Sequence, residues 1–335
     1  MIMTTIIKRH ILVTGANGFI GRNLCAFLKE KGYIVRGAVP NNVCDVSGVD
    51  EYFQVGDINE STDWTKVLEY VDCVIHLAGR SHVMYECESD PASAYHRVNV
   101  LGTQRLAEQA AQSGVKRFIF ISSVKVNGES TSNQSLTNSG FFTEENHPEP
   151  KDYYAISKLE AERKVISVCR NSNMQEVILR LPLVYGPGVK ANFLQLIRLV
   201  DKGIPFPFGS VSNKRSFIYT GNLCDIIELC LMHPAAAKQL FLVSDRVDLS
   251  TPQLISKIAE ALGKRIFLFP CPAFILRIIG LLTRKSAAIS RVTDSLCVQT
   301  AKLTTLIGWK PRFSVEEGIA ETVRFYKDTK NEKNV

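Results

Sequence analysis

A glycine-rich loop near the start of this chain constrains its fold more than any other segment. The loop T-G-A-N-G-F-I-G follows the apolar run His10–Val13 and carries Gly15, Gly18 and Gly21 ahead of an amphipathic segment. Glycines at this spacing permit a tight turn and close backbone approach to a pyrophosphate, and the next helix N-terminus offers unpaired N–H groups. An ordinary strand-to-helix turn does not need three such glycines. Their placement therefore predicts a dinucleotide site at the edge of a parallel sheet.

Strand-like and helix-like segments alternate from this loop to about residue 186. This alternation indicates the α/β class, with a Rossmann-type doubly wound parallel sheet covered by helices on both faces. We predict an NAD(P)-binding domain over residues 1–186 and a smaller mixed α/β substrate domain over 187–335, with part of 215–245 packing back onto the first. The predicted strands are His10–Val13, Tyr33–Val39, Glu51–Val55, Cys73–Leu77, Arg117–Ser122 and Glu176–Val184, and the predicted helices include Leu101–Ser113 and Tyr154–Arg170.

Composition and charge narrow the classes of function. The chain has 335 residues and a net charge of +7, without a basic patch that would indicate nucleic-acid binding. Nine cysteines without a C-x-x-C pair indicate reduced thiols in a cytoplasmic protein and no metal site. Segment Pro272–Leu282 is too short to span a bilayer, which needs about 20 residues. We expect a packed helix there with Arg277 on its solvent side, although the segment could also lie on a membrane surface.

Tyr154 and Lys158 lie four residues apart in Y-A-I-S-K, a spacing that places both on one face of a helix. A free tyrosine ionises near pH ~10, and a neighbouring cation lowers that pKa. Tyr154 could then exchange a proton with a substrate hydroxyl near neutral pH, while Ser123 hydrogen-bonds the same oxygen. Tyr153 competes for this role, but only Tyr154 has a lysine four residues on. These residues predict proton transfer beside a hydride carrier.

The adenosine end of the cofactor site leaves the choice between NAD and NADP open. An NAD site usually has a carboxylate after the second strand, whereas R-G-A-V-P-N-N here offers Arg36 and Asn41. Arg36 could equally be a solvated strand residue. Asp57–Ile58 follow the third strand and are placed to meet the adenine, and Ala78–Gly79 follow the next strand where the cofactor must pass.

Seven motifs together resemble the extended short-chain dehydrogenase/reductases, and more narrowly the NAD-dependent epimerase/dehydratase family. They are T-G-A-N-G-F-I-G, G-D-I, H-L-A-G, V-N-V-x-G-T, S-S-x-x-V, Y-x-x-x-K and L-R-x-x-x-V-Y-G-P, and the likeness runs from about residue 9 to residue 327. The resemblance implies bound NAD or NADP, a catalytic Ser123, Tyr154 and Lys158, and a C-terminal domain that binds a UDP-sugar. It also implies a homodimer formed through the helices near Leu101–Ser113 and Tyr154–Cys169.

The resemblance assigns two further sets of residues by position. The implied cofactor-binding residues are Gly15, Asn17, Gly18, Phe19, Ile20, Gly21, Asp57, Ile58, Leu77, Ala78, Gly79, Asn99, Tyr154, Lys158 and Leu181. The implied substrate-binding residues are Ser81, His82, Lys125, Asn192, Arg215 and Arg291. For several of these a purely structural role is the alternative: His82 as a polar loop residue, Lys125 as a solvated side chain and Arg215 as a surface arginine. His76 is expected to belong to a buried strand end.

Three reactions occur in the group that the motifs resemble, namely 4,6-dehydration, 4-epimerisation and 4-ketoreduction. The dehydratases place an Asp-Glu pair after the catalytic serine or threonine, where this chain has Val124–Lys125. Many epimerases carry R-Y-F-N where this chain has Arg180–Leu183. The sequence is similar to UDP-N-acetyl-quinovosamine dehydrogenases, which implies reduction of a UDP-4-keto-6-deoxy-N-acetylhexosamine for surface polysaccharide. A UDP-glucose or UDP-N-acetylglucosamine 4-epimerase is the alternative, and a steroid- or flavonol-type dehydrogenase is a third.

Overall fold

The computed structural model describes residues 9–41, 43, 46–81, 90–132, 140–283 and 286–332. The strands within these ranges are β1 His10–Thr14, β2 Ile34–Val39, β3 Glu51–Gln54, β4 Cys73–His76, β5 Arg117–Ser123, β6 Gln175–Leu181, β7 Leu183–Tyr185, β8 Phe217–Tyr219 and β9 Gln239–Leu242.

The α-helices begin directly after the glycine loop and separate the strands as far as β6, except that β3 follows β2 without a helix between them. They are α1 Phe19–Glu30, α2 Thr65–Leu68, α3 Pro91–Tyr95, α4 Gly102–Gln112, α5 Tyr153–Arg170, α6 Ala191–Asp201, α7 Thr220–Met232, α8 Thr251–Leu262, α9 Ala273–Leu282, α10 Ser286–Thr293, α11 Ala301–Ile307 and α12 Val315–Glu332. A π-helix, His96–Leu101, joins α3 to α4, and short 3-10 helices span Val124–Val126 and Pro234–Ala236.

Seven strands form one parallel sheet in the order β3-β2-β1-β4-β5-β6-β9. From β1 the chain builds outward to β2 and β3 on one side, then crosses to β4 and builds outward in the opposite direction. The strand order therefore reverses between β1 and β4, which are paired with each other. In open parallel sheets, ligands bind beyond the carboxyl ends of the strands at such a reversal. The predicted doubly wound α/β sheet is confirmed, and its topology places the ligand crevice next to the glycine loop.

Alternate residues of the central strands point into two different hydrophobic cores. Ile119 and Ile121 of β5 pack in the core that contains α1 and α7, whereas Phe118 and Phe120 pack in the core with α4 and α5. Side chains alternate across a strand, so a strand that is apolar at every position must be buried on both faces. This burial holds the strand ends, and therefore the site, in a rigid frame.

Residues beyond 186 contribute to both halves of the molecule. Helix α7 packs in the core beside α1, and β9 extends the main sheet next to β6. Helices α6, α8 and α12 instead enclose a separate core that contains Phe193, Ile255 and Ile319. A division at residue 186 remains a prediction, with residues 220–242 returning to the first sheet.

Two local features differ from the sequence prediction. The strand predicted over Glu176–Val184 divides into β6 and β7, because Pro182 has no N–H to donate to a strand ladder. The packed helix predicted at Pro272–Leu282 forms, but much of its apolar surface is exposed, including Phe274 at 63% and Leu282 at 78%. Only Leu276 and Gly280 of its described side chains are buried. No helix in the described ranges has the length and apolar character needed to cross a membrane.

Candidate active site

A cavity of about 670 Å³ opens at the carboxyl edge of the sheet. The glycine loop forms its floor, the ends of β2, β4 and β5 form its walls, and the start of α5 closes one side. Both the glycine motif and the Tyr-Lys motif therefore meet in one space. They are more than 130 residues apart in the chain, so the parallel sheet is what brings them together.

The glycine loop is shaped to admit a large ligand backbone. Gly15 has φ +68°, which disfavours any residue with a Cβ, and a Cβ there would lie 3.0 Å from the Ala78 amide nitrogen. A Cβ at Gly21 would overlap the carbonyl oxygen of Gly15. Within the described residues, no side chain caps the N-terminus of α1 at Gly18. An uncapped helix end beside a glycine cradle is suited to a pyrophosphate, so the residues present fit a dinucleotide.

The N-terminus of α5 positions the tyrosine. Asp152 caps this helix by accepting a hydrogen bond from the Ala155 amide at 2.7 Å. Tyr154 in the first turn thereby faces the end of β5, where its hydroxyl and that of Ser123 share a hydrogen bond. The Ser123 hydroxyl also accepts from the Lys125 amide at 3.2 Å, which fixes its orientation. Ser123 and Tyr154 thus present two adjacent hydroxyl groups to the cavity.

The pKa of Tyr154 contradicts one sequence prediction. Burial raises this pKa to about 12. The hydrogen bond from Ser123 lowers it and the charge of Asp152 raises it, but both effects are smaller than that of burial. We expected the Lys158 ammonium to lower the tyrosine pKa below its ordinary value. That expectation is wrong for this structure, because desolvation of the phenolate outweighs the favourable contacts.

Lys158 lies one turn further along α5 and is buried. Its Nζ donates a hydrogen bond to the Ile121 carbonyl oxygen at 2.9 Å and lies 4.7 Å from the centre of the Phe120 ring. Burial lowers the pKa of Lys158 to about 8, although the charge of Glu162 opposes the change. The amine is therefore held firmly at the cavity wall and changes protonation just above neutral pH.

Asn99 in the π-helix ties the walls of the cavity together. Its side-chain oxygen accepts from the Arg80 amide at 2.7 Å, and its nitrogen donates to the Arg80 carbonyl at 3.0 Å and to Ser157 Oγ at 2.9 Å. Ser157 in turn donates to the carbonyl oxygen of Tyr154 at 2.8 Å. π-helical turns occur often at functional sites. Asn99 therefore positions the loop after β4 relative to the first turn of α5.

A buried polar network behind the site was not predicted from the sequence. Arg180 on β6 binds both carboxylate oxygens of Glu162 on α5, at 2.9 and 2.7 Å. Ser122 donates to the same carboxylate at 2.5 Å, and Arg180 also donates to the Asn127 side chain at 2.9 Å. Glu162 lies four residues after Lys158, on the same helix face. The sequence does carry a signal for this network. Arg180 lies in a strand predicted to be buried, and a buried arginine needs an acidic partner.

Every residue predicted to bind cofactor lines the cavity except Asn99, which acts through its contacts with Arg80. Arg36 does not reach the cavity. Its guanidinium pairs at 3.0 Å with Glu51 of the neighbouring strand β3 and donates a hydrogen bond to the Glu69 carbonyl oxygen. A role for Arg36 in binding a 2′-phosphate is therefore excluded. The cavity has further lining residues that were not predicted: Ala38, Val39, Pro40, Val55, Gly56, Val98, Ile121 and Ser122.

The predicted substrate residues are more scattered. Ser81 lines the cavity, whereas His82 lies outside the described residues. Lys125 is bound by two carboxylates, Asp152 at 2.6 Å and Glu129 at 2.9 Å, which does not fit the alternative of a freely solvated side chain, and its contact with substrate stays a prediction. Asn192 is exposed at the start of α6.

The two predicted phosphate-binding arginines lie outside the lining of the cavity. Arg215 donates from its guanidinium to the Asp294 carbonyl oxygen at 3.1 Å. Burial lowers the pKa of Arg215, the nearby charges of Asp294, Cys297 and Glu129 oppose this change, and Arg291 adds a smaller lowering. Both arginines belong to the C-terminal half of the chain.

His76 lies at the buried end of β4, as the sequence predicted. Its ring nitrogens contact the hydroxyl groups of Thr14 at 2.6 Å and Thr103 at 2.9 Å. Burial lowers its pKa to about 3, so the ring is neutral at physiological pH. His76 therefore fastens the sheet to α4 and has no free ring nitrogen for catalysis.

Comparison with known proteins identifies the class to which this fold and site belong. The chain belongs to the NAD dependent epimerase/dehydratase family, whose model matches residues 11–243. The family resemblance inferred from the motifs is thereby confirmed, and NAD is the cofactor of the family. The protein is an NAD-dependent enzyme of nucleotide-sugar chemistry.

Individual relatives cover nearly the whole chain. A UDP-glucose 4-epimerase of Vibrio cholerae is 46% identical over 325 residues, which span 96% of this chain and 97% of that protein. An N-acetyl-alpha-D-glucosaminyl-diphospho-ditrans,octacis-undecaprenol 4-epimerase of Escherichia coli O157:H7 is 26% identical and covers 94% of this chain and 95% of its own length. The structure of MoeE5 in complex with UDP-glucose and NAD is similar with a TM-score of 0.76 and 25% identity, over 96% of this chain and 99% of that one.

Proposed function

We propose that this protein is a UDP-hexose 4-epimerase that uses NAD, with UDP-glucose or UDP-N-acetylglucosamine as substrate. The observation that carries the proposal is the paired hydroxyl groups of Ser123 and Tyr154 in a cavity floored by the glycine loop. The Vibrio cholerae relative is named a UDP-glucose 4-epimerase and is 46% identical over 96% of this chain. These findings support epimerisation better than the ketoreduction that the motifs first favoured.

The residues have distinct roles in such a reaction. Bound NAD supplies reversible hydride acceptance at C4 of the sugar. Tyr154 has to enter the reaction as its phenolate, which the Lys158 ammonium and the positive charge of bound NAD would stabilise against the cost of burial. The phenolate takes the proton of the C4 hydroxyl as the ketone forms and returns it when the hydroxyl is restored. Ser123 hydrogen-bonds the same oxygen and holds it in line with the phenol. Lys158 is placed by the Ile121 carbonyl to bind the ribose of the cofactor.

Elimination of water at C5 and C6 finds no support at this site. A dehydratase needs an acid and a base directly after the catalytic serine, and Lys125 occupies the second of those positions. Its ammonium is bound by Asp152 and Glu129 and is therefore not available as a general base. A UDP-4-keto-sugar reductase remains the second candidate, because Pro182 and Leu183 stand where many epimerases carry F-N.

The substrate diphosphate is assigned to Arg215 and Arg291. A guanidinium group presents several N–H donors in a plane that suits phosphate oxygens. We assign both to one diphosphate because the charge of Arg291 acts on Arg215, beside the larger effects of Asp294 and Glu129. The sugar then extends toward Ser81 at the cavity. The homodimer, the cytoplasmic location and the domain boundary at residue 186 stay predictions, to be checked by sedimentation, fractionation and limited proteolysis.

The experiment that separates the two candidates uses purified protein with and without added NADH. Incubation with UDP-glucose alone should yield UDP-galactose, because an epimerase restores its cofactor in every cycle. A reductase would instead consume added NADH stoichiometrically with UDP-4-keto-6-deoxy-N-acetylglucosamine and leave UDP-glucose unchanged. Chromatography of the sugar nucleotides and absorbance at the reduced-cofactor band distinguish these outcomes.

A further inference from the structure

Helix α9 exposes an unusually large number of apolar side chains. Its apolar arc consists of six exposed residues: Phe274 (63%), Ile275 (38%), Ile278 (52%), Ile279 (47%), Leu281 (72%) and Leu282 (78%). The opposite stripe, Leu276 and Gly280, is buried. A Cβ on Gly280 would lie 2.8 Å from Ile289 Cγ1, so this stripe is the one that packs against α10. The apolar arc therefore faces away from the protein.

The spacing of the exposed residues shows that they form one surface. Positions 274, 278, 281 and 282 recur at intervals of three and four residues, and 275 and 279 widen the same side of the helix. Monomeric proteins rarely leave a contiguous apolar patch of this kind uncovered. Just before the helix, Phe267 and Phe269 stack on each other and are exposed at 66% and 37%.

The sequence around the helix is rich in basic residues, of which Lys264 pairs with Asp201 at 2.8 Å. The sequence from residue 261 to residue 293 contains no Asp or Glu and has six basic residues: Lys264, Arg265, Arg277, Arg284, Lys285 and Arg291. Arg277 lies at the border of the apolar arc and is paired with Asp294 at 3.0 Å. An apolar helix face next to arginine and lysine is the pattern of helices that lie in the interface of an anionic bilayer.

We propose that α9 docks this protein on an anionic membrane surface, with its apolar arc inserted among the lipid chains and its basic flanks on the headgroups. At about 1.5 Å per residue, this helix of 10 residues reaches only half of the hydrocarbon core of about 30 Å, so it lies in the interface. A second copy of this chain is a less suitable partner for the apolar arc than an anionic membrane. A two-fold dimer would place the same basic segment against itself, and like charges would repel. The docking stands independently of the reaction.

The test is flotation of the purified full chain with vesicles of phosphatidylcholine alone and of phosphatidylcholine mixed with phosphatidylglycerol. We expect binding to the mixed vesicles that weakens as salt rises from about 0.1 to 1 M, since the Debye length shortens about threefold. Phe274→Ser/Leu282→Ser should lower the vesicle-bound to free ratio about tenfold or more, because apolar area carries most of such binding.

Matched exposed residues elsewhere supply the control. Tyr70→Ser/Met232→Ser removes apolar side chains exposed at 83% and 47% and should leave vesicle binding unchanged. Absence of wild-type binding to the phosphatidylglycerol vesicles would overturn the proposal, and so would equal binding to both lipid compositions. Sedimentation equilibrium adds a third decisive outcome: a wild-type dimer that the Phe274→Ser/Leu282→Ser substitutions dissociate would mean that a second copy covers α9. If those substitutions prevent folding, the lipid and salt series on the wild type decides alone.

Discussion

The cofactor cavity and the C-terminal substrate side of this molecule differ in how their residues are held. The cavity is assembled from strand ends and one helix N-terminus, and nearly all of its predicted residues line a single space. On the substrate side, Arg215 and Arg291 lie outside that lining, and Lys125 is held in ion pairs. The residues expected to bind the dinucleotide therefore form one cavity, whereas those expected to bind the sugar nucleotide are spread largely outside it.

This difference separates chemistry from specificity. Tyr154, Ser123 and Lys158 are fixed by a capped helix and a buried strand, and such groups suit any hydroxyl presented to them. We expect the identity of the sugar and of the nucleotide to be decided in the C-terminal half. Substitutions in the two regions should accordingly affect different kinetic constants.

The largest expected effect belongs to the cavity. Tyr154→Phe should lower kcat about a thousandfold, because the proton of the sugar hydroxyl loses its acceptor while the cavity keeps its shape. Cofactor binding, followed by retained NAD after gel filtration, should persist. Tyr153→Phe is the matched control, since its ring is 55% exposed, and it should keep full activity. Equal losses in both variants would remove the distinction between the two tyrosines.

Substitutions in the buried Arg180–Glu162 network behind the cavity should lower the free energy of unfolding. Arg180→Met leaves the Glu162 carboxylate buried without its partner and should cost about 3–5 kcal/mol in the free energy of unfolding. Urea denaturation measures this loss. Arg324→Met breaks an exposed pair with Glu321 and should cost no more than about 1 kcal/mol. A similar small cost in both variants would show that the buried network does not hold the site.

The substrate side should respond in KM. Arg215→Ala should raise KM for the UDP-sugar about tenfold to a hundredfold, the range of a lost charge-assisted hydrogen bond, with little change in NAD affinity. Arg312→Ala, in an exposed pair with Asp225, is the control and should leave KM unchanged. An unaltered KM for Arg215→Ala would refute the assignment of the diphosphate to this arginine.

The smallest effect is a pH dependence that probes Lys158. Burial lowers the pKa of Lys158 to about 8, so its ammonium is present below that pH and is lost above it. Activity that needs the charged amine should fall about tenfold per pH unit above 8, and the rate profile measures this directly. Lys158→Arg keeps its charge, so its profile should lack this alkaline fall. If the wild type and Lys158→Arg show the same fall in activity above pH 8, a group other than Lys158 causes that fall.

The sequence predicted those parts of the site that depend on local spacing. Three glycines in one loop, and a tyrosine four residues before a lysine, retain their geometry wherever a strand-to-helix turn or a helix forms. The pairing of Glu162 with Arg180 was missed because it joins a helix to a strand. The sequence also could not show whether Arg36 reaches the cofactor site. Adjacent strand residues point to opposite faces of the sheet, and its partner Glu51 lies on another strand.

Burial was harder to predict than secondary structure. The pKa of Tyr154 was expected to fall beside a lysine, but the cost of desolvation is a property of the folded cavity and no spacing reveals it. Helix α9 was expected to pack because it is apolar, yet its sequence alone does not show how much protein surrounds it. Both errors concern what covers a side chain in three dimensions.

One labelling experiment tests the central claim most directly. UDP-glucose with deuterium at C4 should give UDP-galactose that keeps the deuterium at C4, because oxidation and reduction occur at the same carbon in one closed site. Tyr154→Phe should form the labelled product about a thousandfold more slowly. Loss of the label to water, detected by mass spectrometry, would contradict the account, since it would mean that C4 loses a proton and not a hydride.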